Sequence, residues 1–190
     1  MKVILKASEE PMPIEFIFDE KKAVAAAGVL LVHSGGRMNY LRLIKLLYIA
    51  DRRSLANRGR PIVGGRYVSM PLGPVLSEVL NLVKEGGLIW SQVIEKSRYD
   101  AVLKGRVDTG RLSGDEVKIL LKAASDYKDD DRWTIVRKMH KLPEWKNPGR
   151  SSLDIPVEDI LKALKFEKGK IAKIRQQSIE RASFDKLFGS

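Results

Sequence analysis

The residues able to do chemistry in this 190-residue chain are few and scattered. The two histidines, His33 and His140, stand far apart in sequence, and neither has a carboxylate or second histidine at metal-ligand spacing. There is no cysteine, which excludes disulfides, thiolate zinc sites and cysteine nucleophiles. Asp129, Asp130 and Asp131 precede a helical pattern, and three acids there suit the positive end of a helix dipole better than a metal site. "VGGRYV" lacks the Lys-Ser/Thr of a phosphate loop, and no serine sits in G-x-S-x-G. No catalytic residue, metal or cofactor is therefore expected, and the chain does not read as an enzyme.

What remains is the chemistry of recognition and of buried polar pairing. Asp51 closes an apolar helix face beside Arg52 and Arg53, and is expected to pair with an arginine from the following segment, Arg60 or Arg66. His140 ends a helical pattern that Pro143 stops, and Glu144-Trp145 opens a loop. Trp145 is expected to cover the core and His140 to satisfy local carbonyls.

The elements that must position these groups are mostly helical. Asp19 is an N-cap for "EKKAVAAAGVLLVHS", which Gly35-Gly36 ends. Asn39 caps "YLRLIKLLYIADRRSLANR", stopped by Gly59 and Pro61. Eight of the ten residues in "LRLIKLLYIA" are apolar, so this helix is expected to be central and buried, with Arg42, Lys45 and Arg52 lined up toward solvent. "PIVGGRYVSM" reads as a small hairpin split at Gly64-Gly65. "MPLGP" then reads as a stiff elbow. Met70 is pushed out of the helical region by the proline after it, Gly73 allows a tight turn, and Pro74 suits the first turn of "PVLSEVLNLVKE". Further on, "YDAVLKGRV" is a candidate exposed strand, Ser113 and Glu116 form a capping box, and Pro156 opens another helix. Before the first helix, "KVIL" and "IEFIF" are short extended candidates. The fold expected is mainly α (α+β): a compact helical domain around a buried central helix, with a small antiparallel hairpin.

The net charge is +11, from 35 Lys+Arg against 24 Asp+Glu, a balance that suits a polyanion, an acidic protein or only a solvated cationic face. No apolar run reaches membrane-spanning length, and the first residues turn polar too early for a signal peptide. A cytoplasmic protein without membrane contact is expected.

Taken together, "KLLYIADRRSLANRGRPIVGGRYVSMPLGPV" and "HKLPEWK" resemble the Panacea domain. This is the antitoxin domain of many bacterial and phage toxin–antitoxin pairs, related to SocA-type antitoxins and phage-associated GepA-like proteins. The resemblance is carried by "KLLYIAD", Lys45–Asp51 with Tyr48, by Arg60 in "GRPI" followed at short distance by Tyr67, by Gly73 and Pro74 in "GPV", and by His140 with Glu144 and Trp145 in "PEW". Met70 is a further candidate contact in the elbow. It implies a non-enzymatic antitoxin that binds and neutralises the toxin encoded beside it, as a hetero-oligomer or with self-association. The toxin's identity does not follow from the domain. Delivery of the toxin to a protease is known among SocA-type members and stays open here. So does DNA binding that represses the operon, although no helix-turn-helix is legible.

The organisation expected is an extended segment over 1–18, the Panacea-like domain over 19–166, and a basic amphipathic tail over 167–190. From Lys168 the tail has six basic and two acidic residues, and Phe184, Leu187 and Phe188 fall at i, i+3 and i+4, the spacing of a helix that docks in a groove. The partner surface is expected to combine hairpin, elbow and tail.

Overall fold

A computed structural model describes residues 11–188, with the side chains of Asp185, Lys186 and Phe188 outside that description. The central helix forms where its caps require. Asn39 accepts from Leu41 N, and the helix, α2, runs Tyr40–Arg58 to a left-handed Gly59 at φ 68°. It follows α1, Glu20–His33, which Asp19 caps by accepting from Lys22 N. Between them lies β1, Arg37–Asn39. Every residue of α2 from Leu43 to Asp51 is buried, and one continuous apolar core surrounds this stretch.

The segment after α2 departs from the hairpin expected at Gly64-Gly65. Between Gly59 and Arg66 no strand forms. Gly64 and Gly65 take φ of 76° and 88° in a loop folded back onto Asp51. The hairpin begins one step later. Strand β2, Tyr67–Met70, pairs antiparallel with β3, Gly73–Leu76, so the elbow is itself the hairpin turn. Pro74 thus sits in a strand opposite Ser69 and not at a helix start; α3 begins at Ser77 and ends at Glu85. A proline without an N–H is tolerated there because β3 is an edge strand.

Two antiparallel sheets accompany the helices. After α4, Trp90–Val93, strands β4, Ile94–Ser97, and β5, Asp100–Leu103, join β1 in the order β1-β5-β4. The strand expected in "YDAVLKGRV" is therefore the middle strand of a sheet. Ser113 and Glu116 make both bonds of the capping box that starts α5, Gly114–Asp126. Asp131 caps α6, Arg132–Met139. Strand β6, Leu153–Ile155, pairs with β2 to give the order β3-β2-β6. The result is a mainly helical α+β fold.

Helix α7, Val157–Ala163, leads to α8, Lys168–Phe188. The first half of α8 packs on the body. Ile171 and Ile174 join the core, Ser178 is buried, and Arg175 pairs with Glu158 at 3.2 Å. "IEFIF" forms no strand. It lies against the loop, with Phe16 O accepting from Gly65 N at 2.8 Å and Glu158 accepting from Ile14 N at 2.9 Å. "KVIL" lies outside the described residues. No helix among the described residues is long and apolar enough to cross a membrane.

Candidate partner-binding site

The elbow is a turn whose backbone oxygens are held by distant side chains. Trp145 Nε1 donates to Met70 O at 3.1 Å. His140 Nε2 lies 3.1 Å from Pro71 O. A carbonyl only accepts, so that nitrogen carries the proton. Lys45 Nζ donates to Gly73 O at 2.8 Å and to Pro74 O at 2.9 Å. The His140 and Trp145 rings stack, 4.0 Å between centroids, and Lys146 N donates to Ser69 Oγ. Gly73 has two reasons to be glycine. Its φ is 93°, and a Cβ there would stand 2.9 Å from Met139 Cβ.

Behind the elbow lies a polar layer on one face of α2. Lys45, Tyr48 and Arg52, spaced i, i+3 and i+7, share a stripe that turns inward. This corrects the expectation that Arg42, Lys45 and Arg52 face solvent. Lys45 has 0% of its surface exposed; Arg42 donates to the carbonyls of Tyr127 and Asp130; Arg52 binds Glu144 through both carboxylate oxygens, at 2.6 and 3.2 Å. Tyr48 OH donates to the same Glu144 at 3.0 Å. Glu144, buried, thus neutralises Arg52 while fixing the loop that carries Trp145.

Asp51 does not pair with an arginine. Its carboxylate accepts from the backbone N–H groups of Ile62, Val63 and Gly64 at 2.9–3.1 Å and from Tyr67 OH at 3.1 Å. The physical reason is geometric: the glycine-rich loop turns its amides toward Asp51, which fills both carboxylate oxygens. Arg60 is exposed and contributes only its carbonyl, to Ser54 Oγ. Arg66 lies at the surface near Glu78.

Burial governs the ionisation of this layer. It lowers Lys45 to about 7. It raises Asp51 to about 6, with the bonds from Val63, Gly64, Tyr67 and Ile62 opposing the rise. It also raises Tyr48 and Tyr67, helped by Glu144 and Asp51 respectively, so both phenols stay protonated donors. Their rings meet edge to face, 6.0 Å apart.

Of the sequence-predicted site residues, Tyr48, Asp51, Arg52, Tyr67, Met70, Gly73, Pro74, His140, Glu144 and Trp145 meet in this one assembly. Arg60 does not take part. Phe184 and Leu187 sit on the far half of α8, 60% and 77% exposed, and the side chain of Phe188 lies outside the described residues. Lys45 and Ser69 were missed as site residues. A single lysine inside an otherwise apolar run, three residues before Tyr48, was the available signal for the first.

The assembly has no clustered His, Asp and Glu able to hold a metal among the described residues. What it does is hold a surface turn rigid: Pro71 and Leu72 project while everything behind them is buried or bonded. A family model described as antitoxin SocA-like, Panacea domain, matches residues 43–146, more than half of the chain. That span contains every side chain bracing the elbow. Searches of curated proteins and of solved structures returned no match. The chain belongs to the SocA-like antitoxin family that carries the Panacea domain.

Proposed function

We propose that this protein is a non-enzymatic antitoxin that neutralises a cognate toxin by direct protein–protein binding, using the braced elbow as its rigid contact element. The observation that carries this reading is the set of side-chain bonds to the carbonyls of Met70, Pro71, Gly73 and Pro74. A turn fixed before binding loses little conformational entropy on docking. The motif residues themselves are mostly buried, so they act through the elbow's shape. The exposed end of α8, with Phe184 and Leu187, supplies a second contact.

Coexpression with the product of the adjacent gene tests the reading. The expected result is rescue of growth and a complex stable through size exclusion. Neither rescue nor complex would overturn it. DNA binding is a second reading, favoured by the net charge of +11. Its mark is affinity that falls steeply with log salt, from phosphate contacts. Protein docking is screened mainly in its association rate, so its affinity falls less steeply.

A further inference from the structure

We propose that the elbow is the centre of a cationic docking face whose occupant is an acidic surface patch on the partner protein. This rests on the reading above that the partner is a protein, and adds the chemistry by which that partner is recognised.

Residues 137–153 contain five basic residues, Arg137, Lys138, Lys141, Lys146 and Arg150, and one carboxylate, Glu144. Glu144 is buried and bonded to Arg52 and Tyr48, so it offers nothing outward. Lys138 pairs with Asp130. Arg137 donates to Thr134 and its charge is felt by Asp131. The other three cations, Lys141, Lys146 and Arg150, are exposed, and among the described residues none forms an ion pair with a carboxylate. The same stretch is tied to the elbow by His140 at Pro71, Trp145 at Met70 and Lys146 N at Ser69. Lys141 and Lys146 therefore flank the stacked rings that brace the turn. The hairpin, Tyr67–Leu76, contributes no carboxylate.

A group of uncompensated cations holds a positive potential over roughly a Debye length, about 8 Å at physiological salt. At its centre stands an apolar tip, Pro71 with Leu72, the latter 41% exposed. A phosphate backbone would satisfy the charges and leave Leu72 in water. The carbonyls of Met70, Pro71, Gly73 and Pro74 already accept side-chain bonds, so these four compete little as polar contacts. An acidic protein patch with an apolar recess meets both demands. Charge speeds encounter, and the seated Leu72 slows departure.

The test is binding kinetics of full-length protein against the adjacent gene's product, at about 50 and about 500 mM NaCl. Lys141→Glu/Lys146→Glu is expected to lower the association rate about tenfold at the lower salt, with the gap closing at the higher. Leu72→Ala is expected to raise the dissociation rate. Lys84→Glu/Lys104→Glu makes the same charge change at exposed sites on α3 and after β5, and is expected to leave association within about twofold of wild type. An equal loss in that control would assign the effect to net charge and overturn the proposal. Unchanged association for Lys141→Glu/Lys146→Glu would overturn it while the antitoxin reading stands. If that variant instead loses affinity only for a DNA duplex of about 30 base pairs, the face is a nucleic-acid surface and the proposal fails. Failure of the wild type itself to bind the neighbour removes the antitoxin reading and this inference together.

Discussion

Lys45 Nζ, inside the central helix, lies 2.8 Å from the carbonyl oxygen of Gly73, and so a fully buried amine holds up a surface turn. Two carbonyls compensate this ammonium only partly, which is why burial brings Lys45 to about 7 from its ordinary 10.5.

A pH dependence follows. Between pH 7 and 10.5 the unfolded chain holds a proton on Lys45 that the folded chain has released. This group's contribution to stability therefore rises with pH across that window and is flat below it. Lys45→Met removes the slope. Urea unfolding at a series of pH values above neutrality should show the wild type gaining on the variant by up to about 1 kcal/mol per pH unit. Parallel pH profiles would show that Lys45 does not change protonation on folding.

Gly73 should not tolerate a side chain. Gly73→Val combines a φ of 93° with a Cβ contact of 2.9 Å at Met139, and a loss of about 2 kcal/mol or more is expected. Gly114→Ala is the control, since nothing lies within 4 Å of the added carbon and its φ is not positive. Thermal unfolding of the two variants checks this; an unchanged melting temperature for Gly73→Val would mean the turn has another conformation.

Asp51→Asn keeps the shape but places an amide donor among four donors, the N–H groups of Ile62, Val63 and Gly64 and the Tyr67 hydroxyl. At least one buried polar group is then left without a partner, at a cost of about 2–3 kcal/mol. Amide hydrogen exchange at Val63 and Gly64 should accelerate. Exchange at wild-type rates would show that the loop does not depend on Asp51.

Helix α8 should divide into two halves under truncation. Removing residues 180–190 leaves Ile171, Ile174 and the Arg175–Glu158 pair in place, so the melting temperature should hold while dissociation from the partner quickens. Removing 168–190 uncovers core surface and should lower the melting temperature by several degrees. Equal stability of both truncations would place the whole helix outside the cooperative unit.

The parts legible in the sequence are those decided locally. Asp19, Asn39, Ser113 and Asp131 mark helix starts because a cap is satisfied within three residues of itself. The hairpin was misplaced because Gly64-Gly65 has the composition of a turn. What those glycines serve is Asp51, eleven to thirteen positions earlier, through amides that no local pattern reveals. The inward stripe of α2 was hidden for the same reason. A lysine and an arginine read as solvent-facing until Gly73, Pro74 and Glu144 arrive from far along the chain. The motif residues were legible as a set, but their shared task of bracing one turn was not.

The bracing also sets an order of events in folding. The bond from Trp145 to Met70 spans 75 positions, and that from His140 to Pro71 spans 69. A growing chain that has emerged only through its first hundred residues contains the hairpin's sequence without these two ties. At roughly 5–20 residues per second, some seconds separate synthesis of the turn from arrival of the rings that lock it. Closure of such long loops is entropically slow and is repaid only when the contacts form together. A nascent or prematurely ended chain that lacks residues 140–145 would therefore lack the locked elbow.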